Sequence, residues 1–124
     1  MRLTPAQFEQ LVAEAIDLLP EPIATRLDNV EVVVERWPSR RQLQQLNVPP
    51  GETLLGLYEG VPLTQRNTSY GLVLPDKITI FSGPIEQMCA SADEVRAQIR
   101  HTVAHEFAHF FGIGDEQLKQ WGVY

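Results

Sequence analysis

The sequence predicts an α+β fold, a small mixed sheet of three to four strands backed by two long helices. Three observations predict it. Apolar residues recur at the helical period near both ends of the chain. Between them lie short β-branched runs split by proline and glycine. These runs are too few for a sandwich. A chain of 124 residues suits one domain with one core, spanning 1–124.

Each element has its own local signal. Thr4 is placed as an N-cap, with Pro5 at the first helical position and Gln7 able to close a capping box. Phe8, Leu11, Val12, Ala15, Ile16 and Leu19 then follow at helical spacing until Pro20 and Pro22 end the run. Val30 to Glu35 is β-branched and reads as a strand, stopped by Trp37-Pro38. Ser39 can cap a brief helix through Leu46, and Pro49-Pro50-Gly51 makes a turn. Thr53 to Tyr58 is a second strand, followed by a polar loop through VPLTQRNTSYG. Leu72 to Leu74 is a candidate short extra strand, and Lys77 to Phe81 is the third strand after the Pro75-Asp76 turn. That last strand, KITIF, can be the sheet edge along a cleft, where an extended peptide would add, or an interior strand. A short helix is expected over Pro84 to Ala90. Asp93 opens the longest helix, which Gly112 ends, and the remaining residues make a final turn or two.

Composition narrows the function classes. Ten basic against sixteen acidic residues give a net charge of −6, which argues against binding to nucleic acid through clustered Lys and Arg. At 44% hydrophobic and 21% charged, the chain has enough apolar content to fold. Cys89 stands alone, so neither an intramolecular disulfide nor a thiolate zinc cluster can form, and a buried apolar role is expected. Gln, Glu and Asp interrupt the apolar residues of the first twenty positions, which is neither a signal peptide nor a membrane span. The protein reads as soluble and cytoplasmic, with no membrane partner.

The segment HTVAHEFAHFFGIGDE, residues 101 to 116, holds all three histidines four residues apart. At about 100° per residue, Val95, Ile99, Thr102, Val103, Phe107 and Phe110 form a core-facing stripe. His105 and His109 share an adjacent sector one turn apart, where two imidazoles can meet one ion. Zinc takes neutral imidazoles as ligands and, in catalytic sites, keeps a position for water. Glu106 follows the first of them, placed to act on the water as general base rather than on the ion. Residues 102–104, 107, 108, 110 and 111 are uncharged, as a helix at the floor of a cleft requires. Gly112 suits a left-handed helix end, after which the chain can double back. Asp115, six residues beyond His109, is near enough to supply a third ligand, and it can equally be the N-cap of the last helix. In the second case Glu116 or His101 becomes the next candidate. His101 itself lies about 80° around the helix from His109 and reads as exposed or supporting. Tyr70, Arg66 and Tyr124 can polarise a carbonyl but carry no signal that sets them apart.

The pattern HExxHxxGxxD resembles the metzincin-like zincins, in which a third ligand follows the glycine. The chain as a whole resembles a family of short bacterial zincin-like metallopeptidases, or minimal zincins. The stretches that carry the likeness are LGLYEGVPL (55–63), LPDKITIF (74–81) and VAHEFAHFFGIGDEQL (103–118). The resemblance implies a zincin-like fold with the HExxH helix near the C-terminus, zinc on His105, His109 and Asp115, and Glu106 as general base. It departs from full metzincins in having no methionine after Met88 and only nine residues beyond Asp115, hence no methionine turn and no C-terminal wall to the cleft. The expected function is zinc-dependent hydrolysis of a peptide or protein substrate. The alternatives are a zinc-binding scaffold whose protein partner completes the cleft, or another metal-dependent hydrolase. Glu106 and the acidic charge disfavour a ribonuclease.

Overall fold

The computed structural model describes residues 1–60 and 75–123. Helix α1 spans Pro5–Asp17, and Thr4 and Gln7 form the reciprocal capping box expected of them. A short helix α2, Glu21–Ala24, runs into a 3₁₀ turn at Thr25–Leu27. Strand β1 is Val30–Glu35, and helix α3 is Arg40–Gln45, capped by Ser39 with Gln42 closing a second box. Strands β2, Gly56–Glu59, and β3, Asp76–Phe81, complete the sheet. Helices α4, Ser82–Met88, α5, Ala92–Phe111, and α6, Asp115–Gln120, follow. The fold is therefore the mixed α+β architecture expected, with three strands among the described residues.

The strand order is β1-β3-β2, with β3 parallel to β1 and antiparallel to β2. KITIF is thus the interior strand, and the edge reading of it is corrected. Its composition explains the position, since a strand paired on both sides and covered on both faces needs a nearly continuous apolar run. Ile78, Thr79, Ile80 and Phe81 are all fully buried. The second strand begins later than expected, at Gly56 rather than Thr53. The candidate strand at Leu72 to Leu74 and the polar loop from Val61 to Gly71 lie outside the described residues.

Because side chains alternate across a sheet, the register assigns one face directly. Val32, Ile78 and Tyr58 form one row, and Val34, Ile80 and Gly56 the next. This face meets the helices: α5 packs on β2 and β3, and α1 packs on α5. The core joins Phe8, Leu11, Val12 and Ala15 of α1 to Ile78 and Ile80, and to Val95, Ile99, Val103 and Phe107 of α5. Phe110, expected in that stripe, is 48% exposed. In the last turn of α5 the Phe110 ring lies against Tyr58 of β2 rather than within the core cluster.

A buried carboxylate ties the N-terminus to this frame. Glu86 on α4 is almost fully buried. It accepts hydrogen bonds from the Arg36 guanidinium and from the backbone N–H of Leu3. The Met1 ammonium donates to the carbonyls of Glu86 (2.8 Å) and Cys89 (3.0 Å). Cys89 is buried as expected, and burial, then the charge of Glu94, pushes its thiol up from the usual range. Among the described residues no helix is long and apolar enough to cross a membrane.

Two outcomes are expected of this core. Ile80→Ala, at the fully buried centre of the sheet, should cost about 2–5 kcal/mol, read as a lowered denaturant midpoint with an unchanged slope. Cys89 should react with a thiol reagent at pH 7 far more slowly in the native protein than in denaturant, because only the thiolate is nucleophilic.

Candidate active site

The site is built where α5 crosses β2. Helix α5 is N-capped by Ser91, whose Oγ accepts from the Glu94 N–H (3.1 Å), with Asp93 and Glu94 in its first turn. Acidic groups there complement the helix dipole. Gly112 ends it at φ 69°, the left-handed conformation expected of a glycine cap. Arg100 pins its middle, donating to the carbonyls of Leu18 and Gly122 at 3.1 Å each. The histidine segment is thereby held on a fixed rod.

Gly56 lets the strand seat against that rod. A β-carbon at this position would stand 2.6 Å from Thr102 Cγ2 and 3.2 Å from the Thr79 carbonyl oxygen. It would also lie 3.6 Å from Glu106 Cγ. Two residues on, the Tyr58 N–H donates to Glu106 Oε1 at 3.3 Å. The Tyr58 hydroxyl donates to Oδ2 of the buried Asp76 at 2.6 Å. Its ring stacks on Phe110 with centroids 4.2 Å apart and meets Phe111 edge-on. Tyr58 therefore links the sheet, the general-base candidate and the aromatic end of α5. Sequence reasoning missed Tyr58, Gly56 and Asp76. All three lie in the stretches LGLYEGVPL and LPDKITIF, but a single sequence does not say what they face.

Glu106 is half-buried. Burial raises its carboxyl above the ordinary carboxylate range, against the lowering effects of the Tyr58 N–H, His109 and His105. Two hollows flank it. One, of about 470 Å³, is lined by Leu46, Val48, Leu54, Leu57, Tyr58 and Phe110, together with Glu106 and His109. The other, of about 440 Å³, is lined on its polar side by Gln98, His101, Thr102, His105 and Glu106. Glu106 borders both.

The histidines are divided between these hollows. His105 is half-buried, with its Nε2 atom inside the protein. Its ring lies against that of His101, centroids 4.1 Å apart. Burial, then the neighbouring His105, lowers the His101 imidazole below the usual histidine range. His109 is exposed on the other side. Gly114 occupies the N-cap of α6 without a side-chain hydrogen bond, and Asp115 is the exposed first residue of that helix. Asp115 is therefore not the N-cap that the sequence allowed. Among the described residues no three His, Cys, Asp or Glu side chains are gathered closely enough to hold one ion, so His105, His109 and Asp115 are not brought together as a set. Arg66, Tyr70 and Tyr124 lie outside the described residues.

Comparison with known proteins decides the relationship. The profile of a family described as "Zincin-like metallopeptidase" matches residues 27–123, most of the chain. The chain belongs to the zincin-like metallopeptidase family. Among solved structures, a conserved hypothetical protein from Thermo thermophilus is similar, with a TM-score of 0.55 and 23% identity. The similarity covers 88% of this zincin-like chain and 94% of that one, and at such identity it is a likeness of fold. No curated protein matches the chain.

The close seat of β2 has a measurable consequence. Gly56→Ala should destabilise this zincin-like domain by about 1–3 kcal/mol through overpacking. Adding Thr102→Ser, which deletes the clashing Cγ2 atom, should recover much of the loss. Thermal denaturation of the single and double variants checks this.

Proposed function

We propose that the protein is a zinc-dependent peptidase, with zinc on His105, His109 and Asp115 and with Glu106 as its general base. The observation that carries the reading is Glu106 itself. A carboxylate on a rigid helix, half-buried between two hollows and held through one oxygen by a backbone N–H, has the environment a proton acceptor near neutrality needs.

The donor types suit zinc, and binding would have to draw together three side chains that the structure does not gather. Two imidazoles at positions i and i+4 of one helix have β-carbons about 6 Å apart, a span that one ion can bridge, and a carboxylate is an acceptable third ligand. Bound zinc would supply a Lewis acid that polarises a carbonyl and makes water acidic enough to deprotonate near pH 7. The chain's own residues do the rest. Tyr58 holds Oε1 of Glu106, which leaves Oε2 to take the proton from the attacking water. The same carboxyl, its affinity for the proton raised by burial, returns that proton to the departing amine. The buried Asp76 anchors Tyr58 and so keeps the Glu106 contact in register. His101, packed on His105, supports one imidazole from behind. The substrate is a peptide or protein.

The test is direct. The purified protein should contain zinc by elemental analysis, or take it up on addition, and should cleave members of a broad peptide library. Chelation should abolish cleavage and added zinc restore it. Glu106→Gln should bind zinc normally and lose activity by a factor of roughly 10² or more. Asp115→Ala should weaken zinc binding and leave the melting temperature of the zinc-free protein nearly unchanged. Failure to take up zinc at all would overturn the reading.

A further inference from the structure

Helix α5 carries two histidine pairs at one spacing. His101 precedes His105 by four residues, as His105 precedes His109. Four residues advance about 40° beyond a full turn, so the helix alone sets His105 equally near to either neighbour. The packing around the helix separates the two pairs. The rings of His101 and His105 lie together, with centroids 4.1 Å and planes 34° apart. Both border the hollow of about 440 Å³, whereas His109 borders the other. His101 is exposed and His105 half-buried, so an ion arriving from solvent can meet both.

Two imidazoles at i and i+4 can chelate one ion, because rotation of each side chain turns a ring nitrogen toward a common point. The helix beneath them is already fixed, so chelation orders only two side chains. The nearest cation in sequence, Arg100, lies about 100° around the helix from His101 and donates to the carbonyls of Leu18 and Gly122. Glu106 borders the same hollow, but it is not gathered with His101 and His105 within reach of one ion. Water therefore completes the coordination shell. Two imidazoles with water suit a late divalent transition ion, and the general order of affinities places Cu2+ above Zn2+.

We propose that His101 and His105 form a second metal site, which takes Cu2+ in preference to Zn2+ and competes with zinc for His105. A neutral imidazole has one ring nitrogen that can accept an ion, so His105 serves one metal at a time. The pair itself stands without the peptidase reading. Only the competition rests on that reading, through its use of His105 for zinc.

Cu2+ alone, added to the full chain near neutral pH, is the probe. His109→Ala removes the other pair and should still bind Cu2+. Electron paramagnetic resonance should show nitrogen ligands, and the paramagnetic loss of NMR signals should centre on His101 and His105. Adding His101→Ala should weaken this binding at least about tenfold. Both substituted residues are exposed, so the metal-free variants should melt close to the parent. In the parent, zinc should raise the Cu2+ concentration needed to broaden His101. No Cu2+ binding by His109→Ala, binding that His101→Ala leaves unchanged, or signal loss centred elsewhere overturns the site. Zinc that binds the parent without contesting Cu2+ overturns the competition. A parent that takes up no zinc, yet holds Cu2+ at His101 and His105, supports the pair and overturns the peptidase reading instead.

Discussion

Where β2 crosses α5, the strand comes so close that a β-carbon at Gly56 would fall 2.6 Å from Thr102 Cγ2, and this approach governs what the following residues can do. Alternation along the strand puts Tyr58 on the same face as Gly56, toward the helix. The backbone of Tyr58 then lies within hydrogen-bond reach of Glu106, and its ring within stacking distance of Phe110. A larger residue at Gly56 would lift the strand and loosen both contacts together. Sheet packing and the chemistry of the carboxylate are therefore one problem with one solution.

Helix α5 meets two demands at once. Val95, Ile99, Val103 and Phe107 are fully buried and bind it to α1 and the sheet. His105 and Glu106 stand on the neighbouring sector, half-buried, and His109 is exposed. A helix serving only the core could be apolar over one stripe and charged elsewhere. This one keeps its site sector free of Lys and Arg, so among the described residues no cation of that kind on the helix offsets the burial that raises the Glu106 carboxyl. Arg100 and the Gly112 cap hold its middle and its end. The functional groups sit on a rigid element rather than on a loop, which favours precise placement.

A second buried carboxylate shows how differently the same chemistry can be used. Glu86 is satisfied by the Arg36 guanidinium and the Leu3 N–H, and it too borders a hollow, of about 330 Å³. Glu106 accepts a backbone N–H and borders two hollows. The Arg36 guanidinium paired with Glu86, more than burial or access, marks it as the structural acid.

The local elements were legible in the amino-acid order because their causes are local. Thr4 with Gln7 and Ser39 with Gln42 form capping boxes within four residues, and Gly112 ends α5 through its own φ angle. The HExxH spacing, which places His105 and His109 one turn apart, is likewise a property of one helix. Three matters required the tertiary structure. The apolar run KITIF is compatible with an edge or an interior, and only pairing with both β1 and β2 made it central. The periodicity of Phe110 matches the core stripe, but its ring lies on Tyr58 outside the core cluster and lines a hollow. Tyr58 bears no local mark of function, since its role comes from contacts with Asp76, Glu106 and Phe110, at least 18 positions away in the chain. Caps and helical spacing depend on neighbours in sequence and can be read from it, whereas strand order, cover and convergence depend on which distant surfaces meet.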